Sequence, residues 1–200
     1  MKSIFVEIRC PYCGGLTHKK SETLLIQGFD SDYEEQLKNG SFFRNYCPVC
    51  GKETLALHNL MYVDKQHHFV LLIKTKDAVI SSASEIYQGD THMIKRYVTK
   101  ADQISEKLRI LEDELDDRCI EILKIKLYLR YRKQFEVDRI EYHDMVTQSE
   151  TLWFTITGKD YEDIVGIEYS TYDKVCKTLP AMPIEFIEID EEWAMRQLQN

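Results

Sequence analysis

The chain has 200 residues, 44% of them hydrophobic and 30% charged, with a formal net charge of −8. That length suits one sizeable domain or two small ones, and no apolar run approaches the roughly 18 residues of a membrane helix. An acidic chain of this kind is also a poor candidate for tight, nonspecific binding of nucleic acid.

The opening, MKSIFVEIRCPYC, enters at once an alternating pattern over residues 3–9 that reads as a half-buried strand. It lacks the apolar core and cleavage site of a signal peptide, so the expected location is cytoplasmic. Residues 16–28, with Leu24, Leu25 and Ile26, read as a returning strand. Ser31 and Glu34 fit a capping box at the head of a short helix, which Asn39-Gly40 closes. Phe42, Phe43 and Tyr46, expected in the core, continue as a strand toward Cys47. Residues 53–63 and 67–74 predict a hairpin around Asp64-Lys65-Gln66.

Residues 77–90, small and polar, read as a connector, followed by a strand-like HMIKRYVT. A strongly helical stretch then runs from Ala101 to about Gln134. Ile104, Leu108, Leu111 and Leu115 form one apolar stripe, and EDELDD at 112–117 marks a break into a helical hairpin. The second helix carries two apolar rows, Ile120/Leu123/Leu127/Tyr131 and Ile122/Ile125/Leu129. A helix apolar on two sides is buried on two sides, either centrally in its own domain or in a dimer. Strands are expected near 137–145, 151–157 and 184–189, with helices around 169–178 and over EEWAMRQLQ, the latter capped by Asp190.

The residues that carry chemistry are two turns, Cys10-Pro11-Tyr12-Cys13-Gly14 and Cys47-Pro48-Val49-Cys50-Gly51. Each Cys-x-x-Cys turn directs two sulfurs at one centre, and the glycine lets backbone N–H groups face the thiolates. In a reducing compartment such pairs favour metal over disulfides. Cys10, Cys13, Cys47 and Cys50 are therefore the expected ligands of one zinc ion, with iron as the alternative metal. A closed four-thiolate shell has no open position for substrate, so the site is expected to be structural. The thirty-three residues between Cys13 and Cys47 exceed the roughly 15–20 of a common zinc ribbon. The strand and helix read there account for the excess.

Other signals have plainer readings. His18 and His58 are unnecessary once four thiolates are present and read as exposed or strand histidines. His67-His68 reads as a solvated pair, and His92 and His143 stand in no motif. Cys119 and Cys176 stand alone and read as small buried hydrophobes. EDELDD reads as a solvated cap, since consecutive carboxylates do not face each other on a helix. Lys124, Lys126, Arg130, Arg132 and Lys133, on the second helix, are possible partners for those acids. Lys19, Lys20 and Lys52 flank the Cys turns, where they can offset thiolate charge or contact a nucleic acid.

VEIRCPYCGG, the acidic helix ending LKNGSFF, and CPVCGKETLALHNLMYVD together resemble the bacterial CpXC domain family, named for two Cys-Pro-x-Cys motifs. KADQISEKLRILEDELDDRCIEILK and the closing IDEEWAMRQL resemble extended members. The family is functionally uncharacterised. The resemblance implies metal binding at Cys10, Cys13, Cys47 and Cys50 and supplies no catalytic residue.

The fold expected is α+β. Residues 1–76 form a ribbon-like zinc module with one short helix, 77–90 a connector, and 91–200 a mixed domain with a helical hairpin and short strands. Charge is uneven along the chain, ten Lys/Arg against eight Asp/Glu in 1–76 and sixteen against twenty-six in 77–200, as suits two units with different surfaces. The function expected is a structural zinc protein acting through protein interactions or self-association, without a membrane. The alternatives are a nucleic-acid-binding zinc ribbon and a rubredoxin-like iron electron carrier. No P-loop, GxSxG, HExxH or dinucleotide fingerprint points to an enzyme.

Overall fold

In the computed structural model, residues 3–29, 31–74, 87 and 90–199 are described. Most of the 77–90 connector lies outside them. The fold is α+β, and the chain divides into two compact units: residues 1–105 with 183–187, and residues 106–182 with 188–200. No helix among the described residues is long and apolar enough to cross a membrane.

The first unit begins with β1 (Ser3–Arg9) and β2 (Leu16–Glu22), paired antiparallel on either side of the first Cys turn. The return strand is interrupted at Thr23, and β3 (Leu24–Ile26) joins a different sheet. That sheet has the order β3-β6-β7-β8, with β6 at Leu60–Asp64, β7 at Phe69–Ile73 and β8 at Ile94–Val98. Every residue of β7 (FVLLI) is buried, as the unbroken apolar run of a central strand requires. The expected hairpin is β6–β7, its turn closed at His68, which takes a positive φ of 52°. The 53–63 segment divides, and β5 (Glu53–Leu55) pairs instead with β4 (Arg44–Tyr46) across the second Cys turn. Between the two turns, α1 (Ser31–Lys38) buries Leu37 and ends at Gly40, whose φ of +74° is a left-handed helix stop. Phe42 and Phe43 are core residues as expected; Tyr46 is not, being 65% exposed.

The helical stretch breaks as EDELDD suggests, giving α2 (Asp102–Glu112) and α3 (Asp117–Tyr131). The boundary between the units falls within α2. Asp116 caps α3, its side chain accepting the Arg118 N–H. In the second unit α3 is central. It packs against α4 (Tyr169–Cys176), α5 (Glu191–Gln199) and β9 (Arg139–Val146). Both apolar rows are thus occupied within the chain, so they no longer argue for a dimer. A three-stranded antiparallel sheet, β11-β10-β9, completes the unit, with β10 at Thr151–Gly158 and β11 at Tyr161–Glu168. Its buried face carries Ile140, Tyr142, Leu152, Phe154 and Ile156.

Several expectations change. β11 has no counterpart in the sequence reading. The strand expected at 184–189 reduces to a single parallel bridge between Arg96 and Ile187, because its neighbours find no ladder to extend. Residues 112–117 are not uniformly solvated. Asp117 is buried, with Lys107 Nζ 3.0 Å from its carboxylate, and Asp113 accepts the Tyr142 hydroxyl. Lys124 pairs with Glu106 and Glu121 rather than with the acidic run. Arg130 and Arg132 lie over the rings of Tyr131 and Tyr128. Cys119 and Cys176 are not isolated: they form a disulfide joining α3 to α4 across a sequence separation of 57.

Candidate metal centre

Each Cys turn is built by the same two backbone bonds. In the first, Cys10 N–H donates to Gly15 O (2.8 Å) and Gly14 N–H to Cys10 O (2.9 Å). In the second, Cys47 N–H donates to Lys52 O (2.9 Å) and Gly51 N–H to Cys47 O (2.8 Å). Gly14 and Gly51 take φ of 73° and 70°, a conformation a Cβ would oppose. The β1–β2 and β4–β5 ribbons hold the two turns.

The turns bring all four sulfurs within 4.8 Å of one another. Cys10 Sγ is 3.7 Å from Cys50 Sγ, and Cys13 Sγ is 3.6 Å from Cys47 Sγ. Four sulfurs at about 2.3 Å from a tetrahedral ion stand about 3.8 Å apart, so the donor set fits a metal. The first cysteine of each turn is buried and the second exposed.

The electrostatics of the four sulfurs are compatible with a cation. N–H groups of Cys50 and Val49 facing its sulfur hold the Cys47 thiol down at about 6, against burial. Cys13 moves the opposite way. The Gly15 N–H lowers it, but partial desolvation of its sulfur and the thiols of Cys47, Cys50 and Cys10 together carry it up to about 12. Cys47 is thus ready to ionise near neutrality, while Cys13 resists a second charge beside it, a pairing that a bound cation would relieve.

The histidines stay outside the cluster. His18 is exposed, with Nε2 3.6 Å from Glu7 Oε2. His58 departs from the expectation of an exposed or strand residue. It is buried, with ring nitrogens 2.9 Å from the carbonyl oxygens of Ala56 and Glu22, among Phe42 and Phe43. His67 bonds Asp64 at 2.8 Å and is only partly solvated. The three lysines near the turns differ. Lys19 donates to Phe42 O (2.5 Å) and Arg44 O (2.8 Å), and burial lowers its pKa. Lys52 Nζ lies 4.5 Å from the Tyr12 ring centroid. Lys20 is exposed on β2.

The family model for CpXC protein matches residues 8–124, more than half of the chain. The chain belongs to the CpXC family. The match takes in both Cys turns and continues through α2 into α3, while the segment around Trp193 lies beyond it. No curated protein and no solved structure matches the chain. Within this CpXC chain, sequence reasoning missed the Cys119–Cys176 pair, for which no local spacing gives a signal.

Proposed function

We propose that this chain is a structural zinc-binding protein of the cytoplasm that acts through protein interactions. The observation that carries the reading is the convergence of Cys10, Cys13, Cys47 and Cys50 at separations matching a tetrahedral thiolate shell. Four protein ligands complete the coordination of zinc, so the ion's role is to hold the two ribbons together. In small fingers such a site contributes on the order of 10–16 kcal/mol of apparent binding energy. A reducing compartment keeps these thiols available.

An interaction role is supported by what surrounds the turns. Tyr12 is 61% and Val49 70% exposed on the turns themselves, with Leu55 57% exposed on the adjoining ribbon. Aromatic and aliphatic groups held rigidly at a surface suit a protein partner. The nucleic-acid reading rests on Lys19, Lys20 and Lys52. It is weakened by the two carbonyls that already engage Lys19.

The test is elemental analysis of the freshly reduced full-length protein, with its absorption spectrum and its mass in solution. The expected result is about one zinc per chain without visible colour. Iron with visible absorption would replace this reading by a rubredoxin-like electron carrier. Metal-free protein would overturn the shared site. The solution mass separates self-association from a different partner.

A further inference from the structure

The Cys119–Cys176 disulfide lies in the unit that does not hold the metal cluster. Cys119 is the third residue of α3 and fully buried; Cys176 closes α4 and is half-buried. Their Cα atoms are 5.6 Å apart, within the ordinary range for a bridge. Contacts flank the bond on both sides. The Asp116 N–H donates to Tyr172 Oη at 2.7 Å. Arg118 Nη1 donates to Pro180 O (2.9 Å) and Ala181 O (3.3 Å). Tyr172 and Val175 are buried. The α4 segment therefore has attachments that do not depend on the sulfur bond.

The same chain carries four free thiols, and the metal binding proposed above, on which this inference rests, needs them reduced. A disulfide in a milieu that keeps such thiols reduced is typically transient, catalytic or redox-sensing rather than a permanent staple. We propose that Cys119–Cys176 is a reversible redox site, opened by a dithiol reductant and closed by a disulfide oxidant, that governs how tightly α4 is held on the first turn of α3.

The chemistry follows from the placement. A thiolate of the reductant attacks Sγ of Cys176, the less buried residue of the two, and forms a mixed disulfide with it. The Cys119–Cys176 bond breaks, and its electron pair leaves with Cys119 as a thiolate. The reductant's second thiol then attacks its own sulfur in the mixed disulfide and releases Cys176. Two electrons and two protons pass from the dithiol to the pair, and the reductant departs as a disulfide. Tyr172, Val175 and Arg118 keep α4 near its place, so the bond can re-form when a disulfide oxidant runs the sequence backwards.

The experiment treats full-length protein, without denaturant, with dithiothreitol and then with oxidised dithiothreitol. Alkylation and peptide mapping follow the sulfurs, and amide exchange and metal content are read on the same samples. The expected result is a linked Cys119–Cys176 peptide that native reduction opens, with alkylation of Cys176 ahead of Cys119. Exchange at 116–120 and 169–181 rises several-fold and reverses on reoxidation, while metal content is unchanged. A pair that opens only on unfolding, or that never links under the oxidant, overturns the proposal. So does unchanged exchange in the opened protein. Because wild-type protein is used, no variant has to fold. The thiol mapping reads this pair even if the cluster holds no metal, which separates failure here from failure of the zinc reading.

Discussion

Lys107→Met tests whether the buried charges of the second unit act as one balanced group. Lys107 is 2% exposed, with Nζ 3.0 Å from Asp117 and 3.5 Å from Glu121. Lys124 lies 2.8 Å from Glu106 and 3.2 Å from Glu121, and Glu106 also accepts the Tyr142 N–H at 2.6 Å. Methionine keeps the unbranched side chain out to Cε and removes one of two cations facing three carboxylates. Breaking a buried pair in this way costs about 3–5 kcal/mol, and because Lys124 remains beside Glu121 the lower end applies. Trp153 and Trp193 are the chain's two tryptophans and both lie in this unit, so tryptophan fluorescence in urea reads its unfolding directly. Burial already pushes the Glu121 carboxyl up, against the pull of Lys107 and Lys124. A carboxyl raised in the folded state contributes most when protonated, and that contribution is lost as pH rises through its folded value. Removing Lys107 raises it further, so the variant's deficit should be smaller near about pH 5 than near about pH 8. Adding Glu121→Gln should restore much of the loss. A deficit below about 1 kcal/mol, the range of an exposed pair, or one that ignores pH, would refute the reasoning.

Other expectations concern the glycines and the thiols. A Cβ at Gly158 would stand 2.1 Å from the Glu136 carbonyl oxygen, a backbone atom that cannot swing aside. Gly158→Ala should therefore cost about 3 kcal/mol by urea titration, whereas Gly51→Ala, which meets open space at φ +70°, should cost only the left-handed penalty of about 1–2 kcal/mol. In metal-free protein, ultraviolet thiolate absorption should begin to rise near pH 6 through Cys47, and that step should vanish in Cys47→Ser. The depressed value places its stabilising contribution above the ordinary 9.0 and removes it as pH falls through about 6, so the metal-free cluster should be weakest in acid.

The Cys turns were legible because their information is local: two cysteines, a tight turn and a glycine state their geometry within five residues. The helices of the hairpin were legible for a similar reason, since Ile104 and Leu108, and the two rows from Ile120 to Leu129, repeat at helical spacing. What was not legible is decided between distant residues. Nothing near Cys119 names Cys176 as its partner. Asp117, Arg118 and Glu121 look like a solvent face until partners from other segments enclose them. β11 reads YEDIVGIE, whose charges and Gly166 obscure alternation. The strand holds because it pairs along the whole of β10, with Trp153 lying against Gly166. His58 was misread because carbonyl groups, invisible in a side-chain pattern, satisfy both ring nitrogens.

β3 lies inside the segment enclosed by the two Cys turns, yet pairs in parallel with β6 outside it. Leu24 follows Cys13 by eleven residues, and its partner Met61 follows Cys50 by eleven. With a metal on the four sulfurs, a distant strand pair becomes the meeting of two short arms of equal length hinged at one point. Shorter loops close at smaller entropic cost, and lower effective contact order means faster folding. The metal then acts on the order of assembly as well as on stability: centre first, β3–β6 pairing second, and a slower search for the same sheet when the ion is withheld.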